Sequence, residues 1–133
     1  MHALMGFPPE KKPTALDVRT EHQTEFVPIM DRVHKAVSES GVTNGVCHLN
    51  IPHTTAAITI NANADPMVVH DVLHIVNKIV PYEDSNYRHM EGNSAAHVEA
   101  CFFGTSETVF VQDGQLVLGT WQGIFFCEFD GPR

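Results

Sequence analysis

The sequence predicts an α+β fold: a single compact domain with a mixed, mostly antiparallel β-sheet and two main helices. Three observations predict it. Two segments carry apolar residues at helical spacing, strand-like segments gather in the last third, and 133 residues suffice for one core but not two. Strands grouped late favour α+β over a regular β–α–β alternation. Hydrophobic residues make up 43% and charged residues 18%, which fits a globular domain and not a disordered chain.

Residues 1–14 are expected to form a flexible tail, because Pro8, Pro9, Glu10, Lys11, Lys12 and Pro13 oppose regular structure. The domain then occupies 15–133. Ala15 to His22 is a plausible first strand. A helix is expected to begin between Thr24 and Val27, with Pro28 in its first turn. Phe26, Met30, Val33 and Val37 recur at helical spacing, and Gly41 is its stop. Gly45 to Ile51 changes to period two: Cys47, Leu49 and Ile51 share one face, and Val46, His48 and Asn50 the other. Ala56 to Ile60 forms the next strand.

The second helix has the clearest start. Asp65 is a candidate N-cap, and Pro66 sits at the first helical position, where its missing N–H costs nothing. Val68, Val72, Ile75, Val76 and Ile79 supply its apolar face, and Pro81 closes it. Tyr82 to Ser94 is polar without a period and is expected to be a loop. Ala96 to Phe103 reads as an alternating strand with His97, Glu99, Cys101 and Phe103 on one side. Thr108 to Gln112 and Gln115 to Leu118 flank Asp113-Gly114, a two-residue hairpin signal. Gln122 to Phe129 is an aromatic-rich final strand.

Charge and cysteine content exclude several function classes. The formal net charge is −8, with no basic cluster beyond Lys11-Lys12, so nucleic acid is not the expected partner. A small phosphorylated ligand needs only a few local donors and remains open. No apolar run spans a membrane and the start has no apolar segment of a secretory signal. Cys47, Cys101 and Cys127 are odd in number and widely spaced, as expected of free thiols in a reducing cytoplasm.

Polar residues are concentrated where the flanking pattern is apolar. His53-Thr54-Thr55-Ala56 is followed by Asn61, Asn63, Asp65 and Asp71, and a second group holds His89, Glu91, Asn93 and His97. Polar side chains are costly to bury without partners, so such clusters indicate a built site. His53, His89 and His97 with nearby carboxylates would suit a catalytic zinc or similar ion, or metal-free acid–base chemistry near neutral pH. A network that only holds loops together is the competing reading. His70 and His74 are four apart on the second helix, which is weak evidence for a metal. Asn61 and Asn63 either turn and cap the junction or help to bind an anion at the helix N-terminus. Asp71 lies beyond capping range and needs a metal, histidine or arginine partner. Thr120 and Gln122, in Gly119-Thr120-Trp121-Gln122-Gly123, can offer donors to a ligand. Arg133 is a candidate anion clamp.

Together, His53-Thr54-Thr55-Ala56, Asn61-x-Asn63-x-Asp65-Pro66, Asp71, His89-x-Glu91-x-Asn93, His97, Gly104-x-Ser106, Leu118-Gly119-Thr120-Trp121-Gln122 and Glu128-x-Asp130-Gly131-Pro132-Arg133 resemble the YjbQ-like family. It is also called the secondary thiamine-phosphate synthase family, and the likeness runs from about Ala15 to Arg133. The resemblance implies a homotrimer with its polar residues near subunit contacts, and a weak thiamine-phosphate synthase activity. That reaction joins a pyrimidine methyl diphosphate to a thiazole phosphate, and a divalent ion, Mg or Zn, is expected to assist it. On this reading Asp71 and Glu91 contact the ion or water, and His53, His89 and His97 stabilise charge or move protons. Asn61, Asn63, Thr54, Thr55 and Arg133 hold phosphate, and Asn93, Thr120 and Gln122 complete the substrate contacts. A metal-dependent hydrolase using the three histidines and a non-enzymatic trimeric anion-binding protein are the alternatives. Two departures stand out: Ala62 replaces the glutamate usual between the two asparagines, and the family usually continues past Gly131-Pro132-Arg133 with another strand. Either that strand is dispensable or the chain is a shortened form.

Overall fold

The computed structural model describes residues 2–6 and 12–133. Within the expected tail, His2–Gly6 form β1, and Pro8, Pro9, Glu10 and Lys11 lie outside the described residues. Thr14–Asp17 form β2, shorter than the expected Ala15 to His22 strand. Glu25–Pro28 form β3, Met30–Ser40 α1, Gly45–Asn50 β4 and Ala56–Ala62 β5. Pro66–Ile79 form α2 and Ser94–Phe103 α3. Ser106–Gln112, Gln115–Leu116 and Gln122–Glu128 form β6, β7 and β8.

The strands pair in two sheets, ordered β2-β1-β4-β6-β7 and β3-β8-β5, with antiparallel neighbours throughout. The two sheets and α1 share one core, in which Cys47 and Leu49 of β4 meet Ile58, Ile124 and Phe126, with Val33 and Val37 of α1 alongside. The opposite face of the three-stranded sheet packs Ala57, Phe125 and Cys127 against Ala96 and Ala100 of α3. β8 is therefore buried on both faces, which explains why its sequence is a continuous apolar run and not an alternating one.

Several expected elements are observed. β4 alternates as read, with Cys47 and Leu49 inside and His48 and Asn50 outside. Gly41 closes α1 in the left-handed conformation, φ 74°. The Asp65 carboxylate accepts the Met67 N–H at 2.9 Å and caps α2, with Pro66 at its start. Asp113 and Gly114 turn the β6–β7 hairpin with φ of 53° and 75°, the positive pair that matches strand twist.

Three expectations are corrected. α1 begins at Met30, not between Thr24 and Val27. Phe26 and Val27 instead pair with Cys127 and Phe126 in β3, an edge strand where Pro28 is tolerated. Ala96 to Phe103 is not a strand but most of α3, a third helix. Ala95, Ala96, Glu99 and Ala100 are buried at helical spacing, and alanine is the strongest helix former. The small side chains also let α3 lie close against β5. The apolar stripe of α2 is not core: no α2 residue is buried, Ile75 is 50% exposed and Ile79 65%. Only Val69 packs, partly buried, against the α3-side core.

One buried charge ties the last residues to the body. Glu128, at the end of β8, is fully buried. Its carboxylate accepts Arg133 Nε at 2.9 Å and Nη2 at 2.8 Å, and the Thr20 hydroxyl at 2.9 Å. The N–H groups of Phe129 and Asp130 add bonds of 3.1 and 3.2 Å. Arg133 Nη2 also donates to Thr55 Oγ1 at 2.7 Å. Gly131 passes so close to the His22 carbonyl, Glu128 and Thr20 that any Cβ there would collide.

Removing one partner of a buried pair strands the other charge, a larger loss than removing both. Arg133→Ala should therefore lower unfolding free energy by about 3 kcal/mol in urea denaturation. The double change Arg133→Met with Glu128→Gln should lose less.

Candidate functional site

The polar residues singled out in the sequence fall into four neighbourhoods. The first is a shallow groove of about 300 Å³ at the start of α3, lined by His89, Ser94, His97 and Val98. His89 lies in the loop and His97 one turn into α3; their rings meet edge to face with centroids 5.1 Å apart. His89 Nε2 is 3.9 Å from Glu91 Oε2, and both side chains are well exposed, at 43% and 76%. The loop leading here, Tyr82 to Asn93, is irregular as expected, and Tyr87 anchors it by donating to the Pro81 carbonyl at 2.6 Å. Beneath it, Asn93 Nδ2 donates to Asp130 Oδ2 at 2.8 Å, while Asn93 Oδ1 is buried with no hydrogen-bond partner. Asn93 thus couples this groove to the segment that carries Arg133.

The second neighbourhood is the exposed flank of α2. Asp71 finds the histidine partner it needed next door: His70 Nδ1 is 3.0 Å from Asp71 Oδ1. His70 and His74 stack in parallel, centroids 6.4 Å apart, as one helical turn dictates.

The third is the β4–β5 junction and the Glu128 network. His53 is half-buried there, Thr54 is exposed, and Thr55 is buried. Thr55 accepts from Arg133, and Arg133 in turn pairs with Glu128, so Arg133 holds an internal carboxylate. The fourth lies at the far end of β5. Asn61 Oδ1 accepts the Ala62 N–H at 2.7 Å, and the Asn63 side chain occupies the space above Gly123 where a Cβ would stand. Asn63 and Asp65 line a 230 Å³ pocket with Phe26, Val69 and Phe125. Thr120 and Gln122 line another cavity, against α1.

Among the described residues, no three histidine, cysteine, aspartate or glutamate side chains come together as a metal-holding group. The fold therefore pairs His89 with His97 and sets Glu91 3.9 Å from His89, but does not assemble the expected His53, His89 and His97 set as a metal-holding group. Cys47 and Cys127 are buried free thiols whose pKa burial raises, to about 11 for Cys47; Cys101 is free and exposed. No helix among the described residues is long and apolar enough to cross a membrane.

Glu99 is the residue that sequence reading missed. It is 4% exposed on the inner face of α3, its Oε2 has no hydrogen-bond partner, and burial lifts its pKa to about 7. Reading Ala95, Ala96, Glu99 and Ala100 at helical period would have placed it inside.

Fold and groove define a class: a small antiparallel α+β protein with paired histidines at the start of a helix that backs a three-stranded sheet. The chain belongs to the family described as UPF0047 protein YjbQ-like, whose model matches residues 14–133. It is 48% identical over 118 residues to the UPF0047 protein YugU of Bacillus subtilis, covering 89% of each chain. A UPF0047 protein of Methanocaldococcus jannaschii is 47% identical over 116 residues, 87% of this chain and 83% of that one. The crystal structure of an uncharacterized YjbQ/UPF0047 family protein from Clostridium acetobutylicum superposes with a TM-score of 0.85 at 49% identity. The match covers 87% of this chain and 89% of that one. A protein of unknown function from Sulfolobus solfataricus, similar at 37% identity, gives 0.83 over 87% and 84%.

The Glu99 carboxyl generates a pH signature. Its folded pKa, about 7, stands above the ordinary 4.5, so the folded state keeps a proton that the unfolded chain releases. The stabilisation is complete below pH 4.5 and is lost as pH rises through about 7. Its full span is roughly 3 kcal/mol. Urea midpoints at pH 5 and pH 8 should fall further apart in the wild type than in Glu99→Gln.

Proposed function

We propose that this protein is a small-molecule enzyme whose centre is the groove of His89, Ser94 and His97, with Glu91 beside His89, acting on an anionic phosphorylated substrate in the cytoplasm. The observation that carries the reading is the edge-to-face contact of His89 and His97 over an open groove, with Glu91 beside His89. Imidazole suits proton transfer near neutral pH, and a carboxylate within reach orients it. On this reading the activity is a weak thiamine-phosphate synthase, joining a pyrimidine methyl diphosphate to a thiazole phosphate with release of diphosphate. In that reaction the thiazole nitrogen displaces diphosphate from the pyrimidine methyl carbon and releases no proton, so the role of the imidazoles is to donate hydrogen bonds to the departing diphosphate oxygens. The net charge of −8 opposes two anionic substrates, which fits a slow reaction.

A divalent ion, Mg or Zn, fits the donors only in part. His89 and His97 offer two imidazoles, ligands closer to zinc than to magnesium, and no third donor joins them as a metal-holding group among the described residues. Such an ion would neutralise the leaving diphosphate. A second copy would complete the site: the exposed apolar stripe of α2 is the surface on which copies would pack, and Asp71, His70 and His74 lie on that same helix. The assembly favoured is a homotrimer. The competing metal-dependent hydrolase rests on the same two imidazoles, and stoichiometric tightly bound zinc in purified protein would favour it.

Two experiments test this reading. Pure protein given both substrates should form thiamine phosphate above a heat-denatured control, and His97→Ala should lower the rate about 100-fold. No product above the control removes the synthase activity. In sedimentation, the wild type should run as a trimer and Ile79→Glu as a smaller species; a monomeric wild type removes the shared site.

A further inference from the structure

A further cavity lies between α1 and the turn that enters β8. It holds about 350 Å³, within the range of small-ligand sites. Met30 and Leu118 give it an apolar floor, and Asp31, His34, Thr120 and Gln122 supply the polar rim. Its walls are fixed. Val33 and Val37 anchor α1 in the core, so Asp31 and His34, three apart, stay on the rim. The opposing turn is closed twice: Gln122 N–H donates to the Gly119 carbonyl at 3.1 Å, and Gln122 Oε1 accepts the Gly119 N–H at 2.7 Å. The second bond commits the oxygen of Gln122 and leaves its NH₂ group free to donate.

The rim has unspent capacity. Asp31, His34 and the Thr120 hydroxyl have no side-chain hydrogen bond or ion pair among the described residues, and neither Lys nor Arg neutralises Asp31. Arg32, its neighbour in sequence, lines an adjoining 120 Å³ cavity together with Asp31, Met30 and Asn63 but forms no ion pair with Asp31 among the described residues. An unpaired carboxylate in a chain of net charge −8 attracts cations and repels anions. The apolar floor favours an organic body over a hydrated metal ion.

We propose that this cavity binds a small organic amine, its ammonium on Asp31 with Thr120 and His34 as further acceptors, and its apolar body on Met30 and Leu118. The site is separate from the His89–His97 groove and does not depend on the chemistry assigned there.

Benzylamine, benzyl alcohol and benzoate test it, since they share a ring and differ in charge. Each is titrated into the full chain and followed through the backbone amide NMR signals of Asp31, His34, Gly119 and Thr120. Benzylamine should shift these signals saturably, about tenfold tighter than benzyl alcohol, with benzoate inert. Asp31→Asn should reduce benzylamine to the level of the alcohol while the remaining spectrum is unchanged, and His97→Ala should leave binding intact. Absence of a saturable shift, equal binding of amine and alcohol, or binding that survives Asp31→Asn overturns the proposal.

Discussion

Glu128 is fully buried, and a buried carboxylate imposes demands on everything around it. Its oxygens are satisfied by Arg133, by the Thr20 hydroxyl and by two backbone N–H groups, so residues far apart in sequence must converge. Thr20 comes from the segment after β2, Thr55 from the start of β5, and Arg133 from beyond β8. Backbone bonds from Thr20 N–H to the Arg133 carbonyl and from Gly131 N–H to the Gln23 carbonyl fasten the same segment. The geometry leaves no room for a side chain at position 131. Arg133 looked like a ligand clamp because a guanidinium binds carboxylates and phosphates alike; the anion it holds is the protein's own.

From that anchor β8 runs through the middle of the three-stranded sheet with a core on each face. One face meets the five-stranded sheet and α1, the other meets α3. The demand on α3 follows: to lie against β5, which faces it with Ala57, it needs small residues on its inner side. It has them except at Glu99, whose carboxyl keeps its proton to about pH 7 because burial disfavours the charge. The same docking fixes His97 on the outer side of α3, where His89 reaches it. The groove is thus a consequence of where a helix of alanines can be laid down.

α2 obeys the opposite logic. Its capping residue and its period were both legible, yet the stripe they generate remains largely uncovered within the chain. Amphipathicity states that a face seeks an apolar partner; it does not name the partner. The first polar cluster was read as one site because His53, Asn61, Asn63 and Asp71 are close in sequence. The fold disperses them among a junction, a strand end and a helix flank.

The sequence by itself determined what rests on neighbouring residues. The Asp65-Pro66 start of α2, the Asp113-Gly114 turn, the alternation of β4 and the Gly41 stop each follow from contacts within a few positions, where local conformational preference suffices. The tertiary structure alone decided that Glu25–Pro28 pairs with β8 instead of opening α1, and that Ala96 to Phe103 coils instead of extending. It alone decided that Arg133 turns inward to Glu128 and that His89 meets His97. Those outcomes depend on which distant surfaces exclude water together, and no local pattern of side chains carries that information.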